Sequence, residues 1–153
     1  MLEELKNKKN DKYKITNETK LLDGHILHRI KALKKIDIIE SPTVEKGELG
    51  GWIEKEHNLS QEGNCWVYDD ACVFDNAKVS DNALVFNNAQ VSGNARVFDN
   101  ACVYDNAYIS DNACVYGNAC VYDNAWVSGN ARVFDNACVY DNAWVSGNAR
   151  VFD

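Results

Sequence analysis

The sequence predicts an all-β fold, a parallel β-helix with a small β-rich cap at its N-terminal end. Two observations carry this prediction. An aliphatic residue recurs at every sixth position from Val67 to Val151 without a slip, and residues 119–135 reappear unchanged as residues 137–153, an offset of 18. A short fixed period is the signature of a solenoid. Three hexads therefore form one coil, and residues 59–153 form about five coils.

The cap is predicted to occupy residues 1–58. The segments KYKIT and HILHRIKAL read as strands, and the pair Asp23-Gly24 between them is a hairpin-turn signal. An open solenoid end exposes strand edges and apolar interior, so a cover at one end is expected on physical grounds. Residues 1–10 are predicted to be a frayed helix or disordered.

Each hexad of the array reads Ala-x-Val-x-Asp/Gly-Asn. Alternation along a short strand places Ala and Val on the inner face and both variable residues on the outer face. The Asp/Gly-Asn pair then forms the corner. We expect the Asn to adopt the left-handed backbone conformation that a sharp corner needs, a conformation that Gly tolerates better still.

The hexad, with its aliphatic residue first and a small residue fifth, resembles the hexapeptide repeat of left-handed β-helix proteins over residues 59–153. The left-handed winding is implied by this resemblance, since the usual crossover rule favours the right-handed form. Residues 47–71, GELGGWIEKEHNLSQEGNCWVYDDA, are similar to the start of the array in a subfamily common in phages, prophages and enterobacteria and often labelled as transferases. The resemblance also implies trimers and, in the acyltransferases of the family, coenzyme A between subunits and a histidine general base.

Charge and composition narrow the class of partner. Residues 59–153 contain four Lys and Arg against twelve Asp and Glu, whereas residues 1–58 contain twelve against eleven. General attraction of the array to nucleic acid or an anionic membrane is therefore not expected, although a local stripe of basic residues could still bind such a partner. No apolar run long enough to span a bilayer and no signal peptide is visible, which predicts a cytoplasmic protein whose six cysteines are reduced thiols.

Outward residues 18 apart form columns, and the three sides of the predicted coil differ. The Cys/Tyr side carries two columns: Trp66, Leu84, Cys102, Cys120, Cys138 and Tyr68, Phe86, Tyr104, Tyr122, Tyr140. The Trp side carries Cys72, Gln90, Tyr108, Trp126, Trp144 and Phe74, Ser92, Ser110, Ser128, Ser146. The Arg/Phe side carries Lys78, Arg96, Cys114, Arg132, Arg150 and Ser80, Phe98, Tyr116, Phe134, Phe152.

The Cys/Tyr side is the predicted homo-oligomer interface, because soluble monomers do not usually expose so many aromatic residues. Aromatic stacking that stabilises the ladder itself is the alternative. The predicted interface residues are Cys102, Cys120, Cys138, Tyr104, Tyr122 and Tyr140. No metal site is expected there, because thiols in a straight column do not converge on a tetrahedral centre.

The Arg/Phe side is the main candidate binding surface, for another protein or for a phosphate-bearing nucleic acid or nucleotide. The alternative is that each Arg covers a Phe and pairs with corner carboxylates such as Asp99, Asp135 and Asp153. The predicted binding residues are Lys78, Arg96, Arg132, Arg150, Phe98 and Phe134, with Tyr108, Trp126 and Trp144 of the Trp side. The corner column Asp105, Asp123, Asp141 suggests calcium binding or nucleic-acid mimicry, but turn chemistry alone explains it.

The array contains no histidine, since His25, His28 and His57 all lie in the cap region. An acyltransferase needs a general base, so we expect an oligomeric scaffold that is not an enzyme, binds no cofactor and does not associate with membranes. A phage-encoded inhibitor of host defence, such as a CRISPR effector nuclease, is one specific version. The alternatives are a coenzyme A acyltransferase and a sponge for nucleotide signals.

The last hexad stops one residue short, at Asp153. Three explanations are open: end-to-end dimers, a partner that covers the last coil, or a truncated chain.

Overall fold

The structure is a computed structural model that describes residues 11–38 and 42–153. It confirms the all-β prediction: within those residues there are strands and one 3-10 turn, Glu56–Asn58. The strands are β1 Tyr13–Leu22, β2 His25–Ala32, β3 Leu49–Ile53, β4 Trp66–Val67, β5 Cys72–Val73, β6 Lys78–Val79, β7 Leu84–Val85, β8 Gln90–Val91, β9 Arg96–Val97, β10 Cys102–Val103, β11 Tyr108–Ile109, β12 Cys114–Val115, β13 Cys120–Val121, β14 Trp126–Val127, β15 Arg132–Val133, β16 Cys138–Val139, β17 Trp144–Val145 and β18 Arg150–Val151.

The short strands stack into three parallel sheets, one for each side of the coil. The Cys/Tyr side is a sheet of five strands, β4-β7-β10-β13-β16, and the Arg/Phe side is β6-β9-β12-β15-β18. Every pair is in register at an offset of 18 residues, as for Cys102 with Cys120 and Arg132 with Arg150. The predicted parallel β-helix and its outward columns are therefore confirmed.

The interior of the coils is filled by the Ala and Val positions of the repeat. Val97, Val115 and Val133 are fully buried, as are the Ala residues of the same coils. Burying one such Val contributes about 1.5–3 kcal/mol. The backbone bonds run between coils, as from Cys102 N to Ala119 O at 3.0 Å. Small side chains allow this core because each coil encloses little space.

The corners differ from the prediction in one respect. The left-handed residue is the first of the corner pair, such as Asp111 with φ 57° or Gly129 with φ 64°, and not the Asn that follows. In this position the Asp111 carboxylate accepts a hydrogen bond from Gly129 N of the next coil at 2.9 Å. The following Asn residues instead form a side-chain ladder, for example Asn112 to Asn130 at 3.2 Å. Both residues of the corner thus join successive coils.

The cap continues the Trp side of the coil. β1 and β2 form the predicted hairpin around Asp23 and Gly24, both at positive φ. β2 pairs antiparallel with β3, and β3 pairs parallel with β5, which gives the eight-stranded sheet β1-β2-β3-β5-β8-β11-β14-β17. A parallel β-bridge between Leu59 and Val79 of β6 places Leu59 on the Arg/Phe side. The chain before β4 therefore already contributes to two sides of a coil. Coiling therefore begins at β3, and the solenoid has about six turns rather than five.

Residues 1–10, for which a frayed helix or disorder is predicted, lie outside the described residues. Among the described residues, no helix has the length and apolar character needed to cross a membrane.

Candidate functional site

The basic side chains of the array lie in one column of the Arg/Phe side. β9, β12 and β15 place Arg96, Cys114 and Arg132 next to one another, and Arg150 follows on β18. All three Arg side chains are exposed. Within the described part of the chain, the ion pairs within 4.0 Å all involve the cap, and none involves these guanidinium groups. The pairing of Arg with corner carboxylates, which was part of the alternative to a binding surface, is therefore not formed among the described residues.

Aromatic rings stack along the same side and support the Arg column. The Tyr116 ring lies 4.9 Å from Phe98 and 5.2 Å from Phe134, nearly parallel to both. Arg96 lies over Phe98 at 5.5 Å, and Arg150 lies over Phe134 at 5.3 Å. Arg150 thus contacts the Phe of the preceding coil and not Phe152 beside it. These contacts orient the guanidinium groups without neutralising them.

The Trp side carries the other predicted aromatic binding residues. Trp126 and Trp144 stack at 5.2 Å with an angle of 10°, and Tyr108 tilts against Trp126 at 5.4 Å. Because most ring faces are turned toward one another, outward contacts are made mainly by ring edges. The two predicted binding sets lie on different sides of the coil, and the structure does not bring them together.

The Cys/Tyr side has the same stacked arrangement. Tyr104 and Tyr122 stack at 5.0 Å, and Tyr122 and Tyr140 stack at 5.4 Å. Stacking that stabilises the ladder is therefore present, while the predicted oligomer interface stays a prediction. Interaction with the Cys120 thiol on the next coil holds the pKa of the Cys102 thiol below its ordinary value, against the opposing effect of burial.

A cluster that the sequence did not reveal joins the cap to the coils. His25, in the strand after the hairpin turn, places Nδ1 3.0 Å from Glu54 Oε2 and Nε2 3.3 Å from Asp75 Oδ1. The hydrogen bond to Glu54 raises the pKa of His25, against a smaller effect of burial, and the charges of Asp75 and Asp23 raise it further. Within the described residues, no other group of three or more metal-ligating side chains converges. Both ring nitrogens already face carboxylates, which is the arrangement of an imidazolium between two anions.

Lys12 is a second unpredicted contact of the cap. Its side chain is buried, and Nζ donates to Cys65 O at 2.9 Å and lies 3.2 Å from Cys65 Sγ. Burial lowers the pKa of Lys12. Cys65 occupies the small inward position that Ala takes in later hexads. Lys12 therefore satisfies carbonyl groups at the start of the coils.

One corner of the coil forms a shallow acidic groove with a volume of about 930 Å³. It includes the predicted column Asp105, Asp123 and Asp141. The carboxylates of Asp105 and Asp123 each accept the backbone N–H of the Asp one coil further on, at 3.3 Å and 3.1 Å. These bonds are turn chemistry repeated between coils, as the simpler reading of the column predicts.

Two comparisons with known proteins bear on identity. The family model described as the YdcK beta solenoid repeat matches residues 89–105, 113–129 and 131–147. A 45-residue stretch is 47% identical to the "Uncharacterized acetyltransferase YdcK" of Escherichia coli (strain K12), covering 29% of this chain and 14% of that protein. The matched stretch is therefore a small part of the relative's length.

The name of the relative contradicts the expectation that the chain is not an enzyme. That expectation depended on the lack of histidine in the array, whereas a protein with similar repeats is named as an acetyltransferase. The short, distant match is a weak indication of enzymatic activity, and a shared fold does not establish a shared reaction. What is established is the architecture: the described chain forms a parallel β-helix of hexad repeats, and three of its stretches are similar to the YdcK beta solenoid repeat.

Proposed function

We propose that the solenoid is a binding platform whose Arg/Phe side engages an extended acidic segment of a partner protein. One observation carries the proposal: all four Lys and Arg residues of the array stand in one column, Lys78, Arg96, Arg132 and Arg150, although the array contains twelve acidic residues. A random placement would spread them over three sides.

The state of the guanidinium groups supports this use of the column. Arg132 and Arg150 are exposed, they lie on adjacent coils, and no described carboxylate is within ion-pair distance of either. Guanidinium groups bind carboxylates bidentately, and the stacked Phe rings beside them offer apolar contact. Neighbouring coils are separated by about 4.8 Å, so an extended peptide along the column meets a cation at most coils.

The acidity of the array favours an acidic protein segment over nucleic acid. A polyanion with a charge on every phosphate would be repelled by the corner carboxylates that flank the column. A peptide with acidic residues on one face meets mainly the basic column.

The test is fluorescence anisotropy at low salt with a labelled peptide of alternating Glu and Ser, because alternate residues of an extended chain lie on one face. We expect Arg132→Gln with Arg150→Gln to weaken binding roughly tenfold, since exposed ion pairs contribute about 0.2–1 kcal/mol each. Lys14→Gln with Lys35→Gln, which removes two exposed charges from the cap, is the matched control and should bind like the wild type. Equal loss in the control variant, or tighter binding of an oligonucleotide or a mononucleotide, would refute the proposal.

Acyl transfer is a second candidate, favoured by the name of the YdcK relative. Its test is calorimetric titration with acetyl coenzyme A. Saturable binding would support acyl transfer, and the absence of any heat of binding would reject it. A phage origin, inhibition of a defence nuclease and a nucleotide sponge stay predictions, because neither the fold nor the comparisons bear on them.

A further inference from the structure

We propose that the thiol column Cys102, Cys120, Cys138 binds soft metal ions such as Cu(I), each ion held between thiolates on adjacent coils. The three residues are direct neighbours, Cys102 with Cys120 and Cys120 with Cys138. All are free thiols that point outward; Cys102 and Cys120 are half-buried, and Cys138 is exposed. In the single chain, ions can therefore reach the column from solvent, whereas self-association through the Cys/Tyr side would cover it.

Distance favours a bridging ion over a disulfide. Neighbouring in-register strands are separated by about 4.8 Å, whereas a disulfide needs Cβ atoms about 3.8 Å apart and an S–S bond of about 2.05 Å. Because side chains of in-register parallel strands project side by side, their Cβ atoms keep roughly the strand separation, and a disulfide would require the two Cβ atoms to tilt about 1 Å closer together. If a Cu(I)–thiolate bond is close in length to a Zn–S bond, about 2.3 Å, two such bonds in a line span roughly 4.6 Å. The spacing of the column thus suits an ion with two opposed ligands.

Ligand number and softness select the class of ion. Zinc prefers four converging ligands, and among the described residues no third His, Cys, Asp or Glu side chain converges on any pair of the column, since the one convergent cluster of these residues is that of His25. Thiolates are soft ligands that favour Cu(I). Binding converts Cu⁺ and two thiols into a bis-thiolate complex of charge −1 and releases two protons, with no electron transfer.

Cys114 provides an internal control for this geometry. It points outward like the column members and is half-buried, but its neighbours on the adjacent coils are Arg96 and Arg132. It has the same position in the hexad without a thiol neighbour. If Cu(I) binding depends on paired thiols, Cys114 must not contribute to it.

The experiment is an anaerobic titration of the full chain with Cu(I), supplied as its acetonitrile complex, against a chromophoric Cu(I) chelator. We expect the wild type and Cys114→Ser to bind equally. Cys120→Ser, which breaks both pairs, should lose affinity by more than the roughly 10–100-fold that loss of an outer-shell partner costs. Cys102→Ser keeps the pair Cys120 and Cys138 and should still bind one ion.

Native mass spectrometry on the same samples measures the number of chains per ion, and circular dichroism checks folding. If Cys120→Ser does not fold, Cys102→Ser combined with Cys138→Ser replaces it and should show the same loss. Wild-type affinity in the variant without pairs, an equal loss in Cys114→Ser, or an ion shared by two chains would each overturn the proposal.

Discussion

Gly51 lies in β3 at a close approach between the cap and the first complete coil. A Cβ at this position would lie 2.6 Å from Val67 Cγ1 and 2.7 Å from Ala71 O. Because one of these atoms belongs to the backbone, Gly51→Ala should lower the free energy of unfolding by about 1–3 kcal/mol. Urea denaturation measures the effect. Lys14→Ala, on an exposed position of β1, should change stability by less than about 0.5 kcal/mol, and equal values for both variants would contradict the packing described for Gly51.

Single residues also mark the limit of what the repeat predicts. The outward columns were predictable because strand alternation determines which residues face outward, and the 18-residue coil determines which of them are neighbours on adjacent coils. The left-handed corner residue was not, because Asp and Asn both tolerate that conformation. Asp111 takes it because its carboxylate then reaches Gly129 N of the next coil, a contact between coils that no local pattern encodes.

At the scale of elements, His25 fastens the β1–β2 hairpin to the coils, and this contact should depend on pH. The hydrogen bond to Glu54 and the neighbouring charges of Asp75 and Asp23 raise the pKa of His25 in the folded chain. A group with a raised folded pKa contributes its full stability below the unfolded pKa, about 6.5 for His. That contribution is lost as pH rises through the folded pKa. The melting temperature of the wild type should therefore fall over that interval.

His25→Gln should remove this part of the pH dependence, while His57→Gln, whose Nε2 faces only Asn76 O, should keep it. Thermal denaturation across neutral pH compares the three chains. If the melting temperatures of the wild type and of His25→Gln depended on pH in the same way, His25 would not hold the hairpin to the coils. At acid pH the trend has the opposite sign: burial acts to raise the pKa of Glu54, but its hydrogen bonds with His25 and Asp75 N lower it overall, so its contribution disappears as pH falls through that lowered value.

The contacts of the cap were less predictable than the array for a physical reason. The hairpin itself was visible in Asp23-Gly24, since turn chemistry is local. The meeting of His25 with Glu54 and Asp75 requires the register of β2 against β3 and of β3 against β5. Neither register is repeated along the chain, so no period in the sequence indicates it.

For the whole molecule, the predicted self-association through the Cys/Tyr side has a direct measurement. Light scattering of the purified chain should give a mass larger than 17.2 kDa, the mass of one chain. Replacing Tyr104 and Tyr122 by Ser should shift that mass toward the monomer, whereas replacing the more distant Tyr108 should not. A strict monomer in the wild type would remove the interface and leave stacking as the role of the Tyr column.

In our proposal the three sides of the solenoid have different roles, and the column of Lys and Arg on the Arg/Phe side binds the partner's acidic segment. Titration of the isotope-labelled chain with the peptide of alternating Glu and Ser, followed by nuclear magnetic resonance, locates the bound peptide directly. We predict shifts of the Arg132 and Arg150 side-chain signals and of Phe134 between them, with the indole signals of Trp126 and Trp144 unchanged. Shifts confined to the Trp side or to the cap, with the Arg signals unmoved, would contradict the claim.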